Sequence, residues 1–353
     1  MGRPAHDDLK AAFLTATALA ADRALAPGRR TLAPGQAVTS EDALSFRTAA
    51  AALAWLDANY EELLRVIVRA AESGPSVHAW QLTWALTTYF AERQHWHDWL
   101  WTTELAIPQA RALGDDDAER RLLRNLCRCQ LRLGHHEDAI KSASAALESF
   151  ATAGDRYGLA HTHLSLSYAL ERLDRLPEAT AHARTSLTAF ERAEDDDGRA
   201  SALTSLARLC ALRGEPRDAL AHASAAITLF EALNNPQGAA AGHHTCGRAS
   251  ADLGRHEDAV AHYRRAIEVI EAAGGNAYYR SLALRRIAAS RRHLGDLPAA
   301  GYALREAHRL LSGLGHPEAA EVAAELTHLN DNDTDNQDES WPSSTPSPNS
   351  SPA

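Results

Sequence analysis

Several kinds of chemistry are scarce in this chain of 353 residues. There are 4 Cys, 1 Met and 20 Gly, and aromatic residues make up only 6%. So little cysteine excludes a disulfide-stapled scaffold, and so little glycine excludes a collagen-like repeat. Cys127, Cys129, Cys210 and Cys246 do not follow the CxxC spacing of a zinc knuckle. A reducing cytoplasm is the expected setting. No run approaches the roughly 18 apolar residues that a membrane-spanning helix needs. The first ten residues carry Asp7 and Asp8 where a signal peptide would carry an apolar stretch. Lysine is nearly missing: Lys10 and Lys141 are the only two among 36 basic residues. With 46 acidic residues the net charge is −10, which argues against a nucleic-acid binder that relies on overall charge.

What is present is alanine, arginine and a period. The string Gly134-His135-His136-Glu137-Asp138-Ala139 recurs in altered form from Asp174, Gly214, Gly254 and Gly295, at steps of 40, 40, 40 and 41 residues. One step earlier lies a degenerate copy, Gln94-His95-Trp96-His97-Asp98-Trp99. A second marker, Phe150, Phe190, Phe230 and Ile270, keeps the same phase, as does a turn seen at Gly114-Asp115 and Gly154-Asp155. Self-similarity at a fixed period is the signature of a repeat architecture. Glycine or aspartate at each turn permits the left-handed conformation between two helices. The helix that follows carries Ala139, Ala143, Ala146 and Leu147 on one stripe. One helix pair cannot bury its own apolar face, so neighbours must stack.

The unit resembles the tetratricopeptide repeat. With Gly134 at the fifteenth position, Leu126, Ala139 and Ala146 fall on its seventh, twentieth and twenty-seventh positions. Gly254 brings Gly247, Ala259, Tyr263 and Ala266 into the same register. At 40 residues the unit exceeds the usual 34, as do the repeats of regulator sensor domains. Ala54-Trp55-Leu56-Asp57-Ala58, the stretch from Phe90 to Leu100 and Gly315-His316-Pro317-Glu318-Ala319 resemble the C-terminal repeat region of AfsR/SARP-type actinobacterial regulators. These are relatives of the signal-transducing ATPases with numerous domains. The resemblance implies an all-α, right-handed superhelix of helix pairs with a period of about 40 residues. Three segments are expected: an N-terminal helical segment over 1–75, about six repeats with a capping helix over 76–329, and a disordered acidic, Pro- and Ser-rich tail over 330–353.

The catalytic signatures that such a regulator would carry do not occur in this sequence. Lys141-Ser142 has no glycine frame for a phosphate-binding loop, and Ala11 to Leu25 reads as one helix rather than a helix-turn-helix. No Gly-x-Ser-x-Gly elbow occurs. Asp331-Asn332-Asp333-Thr334-Asp335 begins like a calcium loop, but Asn336 stands where the glycine belongs. Adjacent histidines such as His135-His136 and His243-His244 diverge on a helix, unlike the ligand pair of HExxH. A non-enzymatic module without metal or cofactor is expected.

The resemblance also implies that the second, fifth, ninth and twelfth positions of each first helix line a concave groove. The ninth is Thr88, Arg128, Tyr168, Arg208, Arg248 and Ala289, and the fifth is Trp84, Arg124, Leu164, Thr204, His244 and Arg285. Asn125 occupies the family's usual asparagine position. An arginine ladder with Trp84 and Tyr168 as aromatic anchors suits a protein or peptide partner, anionic in character. The alternative is a compact effector seated between those aromatics and arginines. Neither nucleic acid nor membrane is expected as a partner.

Overall fold

The computed structural model describes residues 6–27, 29, 32 and 36–338. Among the described residues there are sixteen helices and no strand. They form two compact units, Met1–Asp195 and Asp196–Ala353. The first holds α1 (His6–Leu25), α2 (Ala49–Glu72), α3 (Val77–Ala85), α4 (Thr87–Arg93), α5 (Trp96–Leu113), α6 (Asp116–Leu133), α7 (His136–Ala153), α8 (Arg156–Arg172) and α9 (Leu176–Ala193). The second holds α10 (Asp196–Leu212), α11 (Pro216–Ala232), α12 (Pro236–Asp252), α13 (His256–Ala272), α14 (Ala277–His293), α15 (Leu297–Gly313) and α16 (Glu318–Asp338). Within each unit the helices from α5 onward pack against their neighbours in sequence, while α3 runs into α4 through Leu86, whose backbone stays right-handed; this is the helical-repeat arrangement that the 40-residue period predicts.

The repeat is in fact phased at half that period. Gln94, Gly114, Gly134, Gly154, Asp174, Glu194, Gly214, Asn234 and Gly254 all adopt φ between 52° and 79°, one left-handed residue every twenty. Each such residue closes one helix and releases the chain into the next. The two kinds of helix start differently. First helices begin with side-chain caps: Asp115 accepts from the Ala118 amide at 3.0 Å, Asp155 from Gly158 at 3.0 Å and Asn235 from Gly238 at 2.9 Å. Second helices α9 and α11 lack such a cap and carry proline in the opening turn, where its missing N–H costs nothing.

Packing follows the small residues. Ala139, Ala143 and Ala146 of α7 are completely buried, as the stripe predicts, and Leu147 packs beside them half-buried. The phased aromatic position is buried throughout, at Phe150, Phe190, Phe230 and Ile270. Its ring needs a glycine opposite: a Cβ added to Gly158 would overlap Phe150, and one added to Gly238 would overlap Phe230. Tyr263 lies on Gly247 in the same manner, with a Cβ there only 2.7 Å from the ring. At the N-terminal end Trp80, Trp84, Trp99 and Phe90 join Leu56, Leu63 and Ile67 of α2 in one core, so the N-terminal segment and the first hairpin share their interior.

One boundary differs from the sequence reading. The last helix continues to Asp338, so backbone of residues 330–338, expected as part of a disordered tail, is helical. Extending an existing helix fixes one residue per hydrogen bond gained, which poor helix formers tolerate. The remainder of the expected tail, 339–353, lies outside the described residues.

The ring-on-glycine contact predicts the effect of a single methyl. Gly158→Ala should destabilise the protein by about 1–3 kcal/mol through overpacking, although alanine alone would favour the helix by about 0.5–1 kcal/mol. In a Phe150→Leu background the same substitution should cost less. Urea unfolding of the four chains measures both, and equal stability of Gly158→Ala and the parent would show that the ring is not seated there.

Candidate binding face

In the first unit the face built by first helices is organised around α6. Its opening turn supplies Arg120 and Arg121, which share Asp117 at 3.0 and 2.7 Å. The next three arginines, Arg124, Arg128 and Arg132, recur at i, i+4 and i+8 and therefore stand on one side of the helix. Among the described residues none of the three has an acidic group within ion-pair distance. Each instead lies over an aromatic ring: Arg124 at 6.0 Å from the centroid of Tyr157, Arg128 at 5.3 Å from Trp99 and Arg132 at 5.7 Å from Trp96.

Their environments are graded. Arg124 is mostly enclosed, and its Nε is buried without a hydrogen-bond partner. Burial, with Arg29 and Arg121 nearby, pulls its pKa down to about 10. Arg128 is open to solvent yet stands in a crowded recess beside Arg124. Desolvation and the neighbouring guanidinium lower it to about 9, so it remains a cation at neutral pH. Arg132 is exposed. A cavity of about 250 Å³ opens beside the row, lined by Arg128, Leu131, Arg132, Leu164, Ser165 and Tyr168. Tyr168 is exposed there, as an anchor for a ligand would have to be.

Three other expected groove residues of this unit are already occupied. Trp84 is only 2% exposed, covered by the Arg29 guanidinium at 3.9 Å from its ring. It is a core residue and not an accessible anchor. Arg29 is fixed by both oxygens of Asp22 at 2.7 Å and by the Trp84 carbonyl at 3.1 Å. Thr88 donates its hydroxyl to Asp22 Oδ1 at 2.7 Å, which completes this network. Asn125 is buried, with Nδ2 donating to Thr87 Oγ1 at 2.9 Å, and acts as a strut between α6 and α4.

In the second unit the expected ladder also breaks up. Arg285 is held by Glu318 at 2.8 Å and Glu325 at 2.6 Å, with Glu321 at 3.5 Å. It is a clamp between α14 and α16 and not a free ligand for a partner. His244 packs edge to face on Tyr263 at 5.4 Å. Arg208 has interactions of its own. Arg248 is half-buried close to His244 and Tyr263. Of the ten expected site residues, Arg124, Arg128 and Tyr168 are therefore brought together, and Arg248 stands apart on the other unit. Arg132, Trp96, Tyr157 and His161 complete the face of the first unit, with the buried Trp99 beneath Arg128. Arg132 was not among the expected residues, although its i, i+4, i+8 spacing with Arg124 and Arg128 along one helix is legible in the sequence.

Histidine and cysteine at this face are held neutral. Burial, then Arg124 and Arg128, lower His161 to about 3, and burial with His182 lowers His163 to about 4. The His163 and His182 Nδ1 atoms are 2.8 Å apart, a hydrogen bond that requires at least one neutral ring. Burial raises the Cys127 thiol to about 12, far from the thiolate that nucleophilic chemistry uses.

Residues 158–232 match the tetratricopeptide repeat family. No curated protein sequence matches the chain. Among solved structures, a signal transduction ATPase with numerous domains and a tetratricopeptide repeat sensor, from Pyrococcus horikoshii, superposes with TM-score 0.63 at 13% identity over 78% of this chain. Only 42% of that protein is spanned. A Rap protein complexed with Competence and Sporulation Factor superposes with TM-score 0.55 at 15% identity, over 78% of this chain and 81% of that one. BtubC from P. vanneervenii gives 0.56 at 16% identity, over 63% and 94%. At such identities the likeness is one of fold: tetratricopeptide helical repeats.

The depressed histidines set a pH dependence. His161, His163 and His244 (the last also lowered to about 4) stay neutral in the folded chain, while the unfolded chain protonates near the ordinary 6.5. The unfolded state then binds more protons, so stability is complete above about pH 6.5 and is lost as pH falls towards 4. Between pH 7 and 5 the melting temperature should fall by several degrees. Replacing the three histidines by glutamine should flatten that slope, and an unchanged slope would assign it to other groups.

Proposed function

We propose that the chain is a non-enzymatic tetratricopeptide interaction module that takes a protein or peptide partner, with a regulatory role in transcription or signalling. The carrying observation is the row of three arginines, without acidic partners among the described residues, on the first-helix face of the first unit, beside an exposed tyrosine and an open cavity. Guanidiniums fixed over rings rather than on carboxylates are what a partner surface needs, because their charge is available and their geometry is already restricted. The similarity to a signal transduction ATPase with a tetratricopeptide repeat sensor and to a Rap protein complexed with Competence and Sporulation Factor supports this reading. So does the resemblance to AfsR/SARP-type regulators. The neutral histidines and raised thiols favour binding over catalysis at this face. A second reading, a sensor for a small anionic effector, draws on the 250 Å³ cavity between Arg128 and Tyr168.

Panning a random-peptide display library on the full-length chain separates the two. The proposal expects enriched peptides whose affinity falls more than tenfold in Arg124→Glu/Arg128→Glu, since breaking a desolvated ion pair with a partner costs about 2–5 kcal/mol. Arg184→Glu/Arg192→Glu, reversed at exposed positions of α9, should retain binding. No enrichment, together with a metabolite that raises the melting temperature, would establish the small-ligand reading instead.

A further inference from the structure

We infer that the α6 arginine row is a recognition strip for an extended acidic peptide segment whose carboxylates recur at every second residue. The inference rests on the interaction-module reading and specifies its ligand. Arg124, Arg128 and Arg132 rise about 6 Å from one to the next along the helix axis, about 12 Å in all. An extended chain presents side chains on one face about 6.6–6.8 Å apart. The rise of three alternate carboxylates along such a strand therefore comes close to that of the three arginines along the helix.

The local charge balance points the same way. Where α6 has acids to pair with, it uses them: Arg120 and Arg121 take Asp117, and Glu119 takes Arg111 at 2.7 Å. Further along the helix the acids stop and the arginines continue. Desolvation and mutual repulsion already depress Arg124 and Arg128, so an incoming carboxylate relieves a cost that exists in the free protein. No acceptor within the chain holds the buried Nε of Arg124. Aromatic rings at 6.0, 5.3 and 5.7 Å hold the three guanidiniums in place before the ligand arrives.

The test uses the full-length chain and fluorescein-labelled nine-residue peptides read by fluorescence anisotropy. One peptide carries Glu at three alternate positions in a Ser/Gly background. A second carries the same three Glu at every fourth position, a third replaces them by Gln, and an rU9 oligonucleotide completes the set. The alternate-Glu peptide should bind at least tenfold tighter than the others, with affinity falling steeply as salt rises. Arg128→Gln/Arg132→Gln, at two exposed positions that leave the enclosed Arg124 in place, should abolish that preference without shifting the melting temperature. Arg184→Gln/Arg192→Gln should leave it intact. Equal binding of the two Glu spacings, preference for the oligonucleotide, or an unaffected Arg128/Arg132 variant would each overturn the strip. If library-selected peptides bind while none of these acidic probes does, the ligand class is wrong and the module reading survives. If no peptide of any kind binds, both fall.

Discussion

On its buried stripe α7 offers its neighbours only methyl groups, at Ala139, Ala143 and Ala146, and packs closely through these fully buried positions. That close approach is the constraint on which the remaining structure depends. Helices packed at such short range leave no room for a slipped register, so the turns must recur at a fixed interval. The left-handed residues at every twentieth position meet that requirement. Where a large ring is admitted, as at Phe150 or Phe230, a glycine must stand opposite to receive it. The period, the glycines and the small residues are three expressions of one packing distance.

Tight hairpins also decide what can happen on the surface they build. Neighbouring helices lie side by side, so residues one turn apart on α6 form a continuous edge with groups from α5 and α8. Arg124 meets Tyr157 of α8, while Arg128 and Arg132 meet Trp99 and Trp96 of α5. These rings restrict the guanidiniums without neutralising them. A carboxylate in the same places would have removed the charge, as Asp117 does for Arg120 and Arg121 and as three glutamates of α16 do for Arg285. Whether an arginine is structural or available is thus decided by what the adjacent helix offers.

The same crowding suppresses the other reactive groups. Burial, with Arg124 and Arg128 alongside, keeps His161 neutral, and burial keeps the Cys127 thiol protonated. The face keeps strong donors of fixed charge and little that could act as acid, base or nucleophile. That is the electrostatic profile of a surface that binds.

Sequence alone determined the architecture, because a period is a one-dimensional property: the glycine turns, the alanine stripe and the phased aromatics are countable along the chain. It also singled out Arg124, Arg128 and Tyr168. It erred on Trp84, Thr88, Asn125 and Arg285, which are buried or paired. Equivalent positions in a repeat have equivalent backbones, but their surroundings come from residues far away in sequence. Asp22 and Arg29 belong to a segment before the repeats, and nothing in the period announces that they cover Trp84. Glu318, Glu321 and Glu325 reach Arg285 only because α16 folds back on α14. Charge neutralisation and burial are fixed by those long-range neighbours, so the availability of each arginine was left to the tertiary structure.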